Sequence, residues 1–163
     1  DCCPGKGYED NHTDFIWEYP DASADDQIGE VVEHLLHTVT AVGLYLTYTD
    51  WDYKNSSSQL YLAMNEAISK GIYDVSSYNN LKNDDAYNRI ITQEYAYWLI
   101  LAEWDLYVTT GKKDNGITGN GEFTIGTPSE IQSQLPLGHK LYQDYIEKIF
   151  SVPEKSKLAL LFP

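Results

Sequence analysis

Apolar residues at Ile28, Val31, Val32, Leu35, Leu36, Val39 and Val42 recur at the i, i+3, i+4 interval of an amphipathic helix. Ser23 or Asp25 stands where an N-cap is wanted, so the pattern predicts a helix from Ala24 to the neighbourhood of Thr47–Asp50. A second helix is predicted over Leu60–Ile68, introduced by Ser56-Ser57-Ser58 and stopped by Gly71 as a left-handed C-cap. The Asn/Ser-rich stretch that follows, to Asp84 or its neighbours, reads as loop. A third helix is predicted from the region of Asp85 through Tyr107, and its middle, Tyr95–Ala102, is apolar on every side, as in a helix surrounded by protein.

Beyond Gly111 the punctuation changes. Five glycines between Gly111 and Gly126, with Asp-Asn-Gly and Gly-Asn-Gly turns, predict a surface hairpin ending in Glu122-Phe123-Thr124-Ile125. Asp114-Asn115-Gly116 lacks the spacing and terminal Glu of a calcium loop and is read as a hairpin turn. Thr127-Pro128-Ser129-Glu130 combines an N-cap, Pro at the first helical position and a capping-box Glu, opening a short helix to Leu135. A last helix is predicted over Gly138–Phe150. The expected fold is mainly α, a compact helical domain of about five helices with a small β-hairpin, α+β overall. One domain is expected over 1–163: an extended arm at 1–23 with a brief strand-like island at Phe15–Tyr19, a helical core at 24–150 and a tail at 151–163.

Composition narrows the functions. A chain of 163 residues with 42% hydrophobic residues, 14 Tyr and 4 Trp among them, can bury one sizeable core. A formal charge of −14 repels phosphate backbones and anionic headgroups, which argues against nucleic-acid and membrane-surface functions. The longest apolar stretch, Tyr95–Ala102, is too short to span a bilayer. The sequence begins without Met, and its Cys2-Cys3 pair fits neither a zinc knuckle nor a redox CxxC. A processed chain in an oxidising, extracytoplasmic setting is expected, with a trimmed chain as the alternative, and the cysteines are read as tail residues or a link to another chain.

The chemistry is concentrated on the first helix. Glu30, Glu33, His34 and His37 fall at i, i+3, i+4 and i+7, one stripe opposite the apolar face. Imidazole and carboxylate one turn apart can grip one ion, so Glu33/His37 and Glu30/His34 are candidate ligands for Zn²⁺ or another divalent metal. The same residues also read as ordinary i, i+4 Glu–His pairs on a solvated face, each worth about 0.2–0.5 kcal/mol. Burial separates the readings, because a metal site must be enclosed by a second element. His12 and His139 read as surface residues, and Trp51-Asp52-Tyr53 as interior aromatics or, as a lesser alternative, a sugar-binding surface.

The run Glu33-His34-Leu35-Leu36-His37, continued to Leu44, resembles the active-site helix of the zincin metallopeptidases, His-Glu-x-x-His, with the first two positions exchanged. Glu30-Val31-Val32-Glu33-His34 similarly resembles the inverzincin motif with Glu in place of the first His. The resemblance implies Glu33 and His37 as ligands and His34 in the place of the general base. As in gluzincins, it asks for a carboxylate on a later helix, for which Glu94 is the choice ahead of Glu103. It further implies a zincin-like α+β core, a zinc cofactor, a peptide or protein substrate and a metallopeptidase-like hydrolase or an inactive metal-binding relative. The competing class is a non-enzymatic helical interaction module.

Overall fold

The computed structural model describes residues 23–82, 86–111 and 121–161, and the chain is mainly helical. Helix α1 (Ala24–Thr38) starts where Ser23 Oγ accepts the Asp26 N–H at 3.2 Å, with Asp25 and Asp26 favourably placed against the helix dipole. It runs on as a π-helical segment, Val39–Leu44, and a final turn, Tyr45–Thr47. The π register is visible where the Tyr45 N–H reaches Thr40 O, five residues back, and Thr40 Oγ1 returns a bond to Leu36 O at 2.8 Å. The buried stripe is narrower than the sequence suggested. Ile28, Val32 and Leu36 are buried, Val31 and Val39 are half-buried, and Leu35 is exposed.

Helix α2 (Gln59–Ser69) is capped by Ser58 Oγ on the Tyr61 N–H and ends at Gly71, whose φ of +68° supplies the left-handed turn. Helix α3 (Tyr87–Glu103) is the core of the molecule. Every residue from Tyr95 to Ala102 is buried, and the helix touches α1, its π-helical extension and α2. It stops earlier than the pattern implied because Asp105 adopts φ +52° and the Leu106 N–H folds back to Leu101 O, a Schellman closure without glycine. Helices α4 (Pro128–Gln134) and α5 (Pro136–Leu141) follow, the latter continuing through a π segment, Tyr142–Ile146, and a turn, Glu147–Ile149. A short α6 (Lys155–Leu158) lies in the segment read as tail.

The expected β-hairpin is not present among the described residues. Phe123 instead makes an isolated antiparallel bridge with Tyr73, flanked by Asp74 N–H to Glu122 O at 2.8 Å and Thr124 N–H to Ile72 O at 3.0 Å. The physical reason is the Gly71 cap, which turns Ile72–Asp74 into extended backbone with unpaired groups, and these are what residues 122–124 satisfy. Between α1 and the turns that follow α3 the backbones come close. A Cβ on Gly29 would stand 2.6 Å from Thr110 O, so no larger residue fits there without moving α1. The segment with Cys2, Cys3, His12 and Phe15–Tyr19, and the Asp114-Asn115-Gly116 turn, lie outside the described residues. Among the described residues, no helix is long and apolar enough to cross a membrane.

Candidate metal centre

Two long elements make the site. Glu30, Glu33, His34 and His37 come from α1, and Glu94 comes from α3, which packs against it. One donor atom each of Glu33, His37 and Glu94 lies within 4.8 Å of the others. His37 Nε2 stands 3.5 Å from Glu94 Oε1, with the imidazole 5% exposed and the carboxylate 16%. The ring is thus at the bottom and the carboxylates nearer the rim. Glu30 does not join that group; its Oε1 lies 3.0 Å from His34 Nε2, on side chains about one-fifth exposed. The two imidazoles meet edge to face, with ring centroids 5.7 Å apart.

Below the imidazoles lies a residue the sequence gave no reason to single out. Tyr97, read as one more apolar position of α3, presents its ring edge-on to His37 at 5.8 Å. Its hydroxyl is fully buried and has no hydrogen-bond partner among the described residues. Burial holds the phenol well above its ordinary pKa, and the nearby charges of Glu33, Glu94 and Glu30 add to this, as does Tyr107. It therefore stays protonated and is a hydrogen-bond donor. Tyr97 is three residues from Glu94 on one helix, a spacing that could have drawn attention to it.

Two more residues enter from outside the stripe. Burial first, then the charge of Glu94 and a hydrogen bond to Glu122, keep the Tyr78 phenol neutral, with Glu33 contributing more weakly. Glu122, expected on a surface strand, is buried because the Tyr73–Phe123 bridge carries it inward. Tyr78 and Glu122 thus add polar groups from outside α1 and α3 that feel the charge of Glu94.

The remaining candidates sort differently. Arg89, on the same helix as Glu94, donates from Nη1 to Gln93 Oε1 at 3.3 Å. Glu103 lies away from the cluster and is buried against His139, Oε1 to Nδ1 2.7 Å, so His139 is half-buried and paired rather than a free surface residue. Burial raises the Glu103 pKa, and the bond and charge of His139 oppose that. Trp51 and Tyr53 are 0% and 7% exposed, which leaves neither ring a face for a sugar. The sequence matches no protein-family model, no curated protein and no solved structure.

Proposed function

We propose that the chain binds a divalent metal ion through Glu33, His37 and Glu94 and uses it in hydrolysis, with a peptide carbonyl as the substrate group that the zincin resemblance implies. The observation that carries this reading is the convergence of the three donors between α1 and α3. Ligand atoms placed tetrahedrally about 2.1 Å from an ion are about 3.4 Å apart. The His37–Glu94 separation is 3.5 Å, so that pair needs almost no rearrangement to take one. One imidazole and two carboxylates suit zinc and the harder ions manganese and iron. Such an ion, when bound, lowers the pKa of a coordinated water and polarises a carbonyl.

The chain's own contribution is placement. His37 is fixed by burial against Tyr97, and Glu94 by its place on the most deeply packed helix. His34, which the resemblance puts in the general-base position, is held by Glu30 and lies close enough to His37 to share the ion's surroundings. The buried Tyr97 hydroxyl, on a ring that packs against His37, is a donor of the kind that a metal-bound water or a developing oxyanion would need. The interaction-module reading draws on the exposed Val152, Leu160 and Leu161 near the C-terminal end of the sequence, a surface remote in chain position from the Glu/His stripe.

Elemental analysis of purified protein by plasma mass spectrometry, before and after chelation, tests the proposal. Near-stoichiometric zinc, manganese or iron is expected in the wild type. His37→Ala should weaken binding by more than the about 10–100-fold that loss of an outer partner costs, with the circular dichroism spectrum unchanged. A protein that takes up no divalent ion on titration would leave the interaction module as the better reading.

A further inference from the structure

We infer that Asn55 is the acceptor of an N-linked oligosaccharide, a modification independent of the metal site proposed above. The tripeptide Asn55-Ser56-Ser57 has the Asn-x-Ser/Thr form of an N-glycosylation acceptor, with a residue other than Pro in the middle. A second such tripeptide, Asn11-His12-Thr13, lies outside the described residues. Three residues carry little weight by themselves. The placement of Asn55 in the fold supplies the rest.

Asn55 lies in the connection between Thr47, where the extension of α1 ends, and α2. Lys54, Asn55, Ser56 and Ser57 are four consecutive exposed residues. A glycan is bulky and must stay in water, so it needs an acceptor on such a surface loop. On either side the chain turns inward at once, since Tyr53 and Ser58 are buried. The base of the loop is anchored. Lys54 Nζ lies over the rings of Tyr45 and Tyr53, 5.5 and 5.2 Å from their centroids, and Ser58 Oγ caps α2. A group added at the tip therefore displaces nothing from the core.

The atoms that transfer requires are the ones left open. Asn55 Oδ1 accepts the Ser57 N–H at 2.9 Å, an Asx turn that holds the acceptor amide beside the serine. Asn55 Nδ2 and Ser57 Oγ make no hydrogen bond among the described residues. The first is the nucleophile, and the second is the hydroxyl that defines the motif. In the transfer step Nδ2 attacks C1 of a sugar carried on a polyprenyl diphosphate. The Nδ2–C1 bond forms, the C1–O bond breaks, and the polyprenyl diphosphate leaves with the electron pair while one amide proton passes to a base of the transferase. The backbone of the loop is not consumed: Asn55 O keeps the Ser58 N–H at 2.9 Å. Such acceptors belong to secreted chains, so the assignment requires the extracytoplasmic setting expected from the sequence.

Peptide mass spectrometry tests the assignment. In protein from its natural source, peptide N-glycosidase is expected to release a glycan and convert Asn55 to Asp in the fragment that spans it. The full chain is also directed into the secretory pathway of a cultured animal cell, with Asn11→Gln in every sample so that Asn55-Ser56-Ser57 is the one acceptor tripeptide. The gain in apparent mass should persist in Ser57→Thr and be lost in both Ser57→Ala and Asn55→Gln, with circular dichroism unchanged. Ser57→Thr, which keeps the hydroxyl, shows that the loss reports the motif and not the fold. A bare Asn55 in the natural protein overturns the assignment, and so does a mass gain that survives Ser57→Ala and Asn55→Gln. Neither result bears on metal binding at Glu33, His37 and Glu94.

Discussion

At the Tyr97 hydroxyl the balance of terms can be measured directly. A phenol that is buried and unpartnered destabilises the metal-free fold, whereas the same phenol bonded to a metal-held water does not. Tyr97→Phe is therefore expected to raise the stability of chelator-treated protein by about 1–3 kcal/mol, a few degrees of Tm for a chain of this length. In metal-loaded protein the gain should shrink or reverse. Equal stabilisation with and without metal would mean that nothing in the site ever accepts from Tyr97. The test separates a donor aimed at a ligand from a packing imperfection, which distance alone does not.

Helix α4 shows the same kind of reasoning at the scale of an element. Thr127 and Glu130 form a capping box in which the Glu130 carboxylate accepts from the N–H groups of Gly126 and Thr127, at 3.0 and 3.1 Å, and from Thr127 Oγ1 at 2.7 Å. Desolvation alone would raise the Glu130 pKa, but these three bonds outweigh it and hold the group below its ordinary 4.5. A depressed folded value means that the unfolded chain binds the proton first. The stabilisation is thus complete above 4.5 and is lost as pH falls through the lower, folded value. Glu130→Gln is expected to cost about 0.5–1 kcal/mol near neutral pH, and the difference from wild type in urea melts should close in that acidic window. A difference that is constant from pH 7 to pH 3 would show that the carboxylate charge has no part in the cap. This box was legible in the sequence because its determinants lie within four consecutive residues. The same holds for the Ser58 cap, for Gly71 and for the buried run of α3, all local or continuous patterns. The π segment of α1 was not legible, since a 3.6-residue period carries no mark of where the helix widens, and neither was the Asp105 stop, where a residue other than glycine takes the left-handed turn. Of the site, the α1 stripe could be named in advance from spacing, and Glu94 only through the zincin resemblance. Glu122 and Tyr78 could not, because the pairing of residues 122–124 with 72–74 joins segments some fifty residues apart.

For the whole molecule, the decisive question is whether a divalent ion acts as a ligand or as a counterion. A chain of net charge −14 repels itself, and any added salt relieves this, because the screening length falls from about 10 Å at 0.1 M to about 3 Å at 1 M. Sodium chloride over that range is accordingly expected to raise the Tm of wild type and His37→Ala alike. Binding follows a different law. An ion that binds only the folded chain stabilises it by RT ln(1 + [L]/Kd), about 2.7 kcal/mol at a concentration of 100 Kd, whatever the bulk ionic strength. Micromolar Mn²⁺ in a background of 1 M sodium chloride should then still raise the wild-type Tm by several degrees and leave His37→Ala where it was. His37 carries no formal charge when neutral, so its loss does not alter the self-repulsion that salt screens. An equal rise in both proteins, disappearing in high salt, would identify the ion as part of the diffuse atmosphere around an acidic surface. A rise confined to the wild type and indifferent to sodium chloride requires a buried imidazole among the ligands, and His37, 4% exposed, is the imidazole that α1 and α3 enclose.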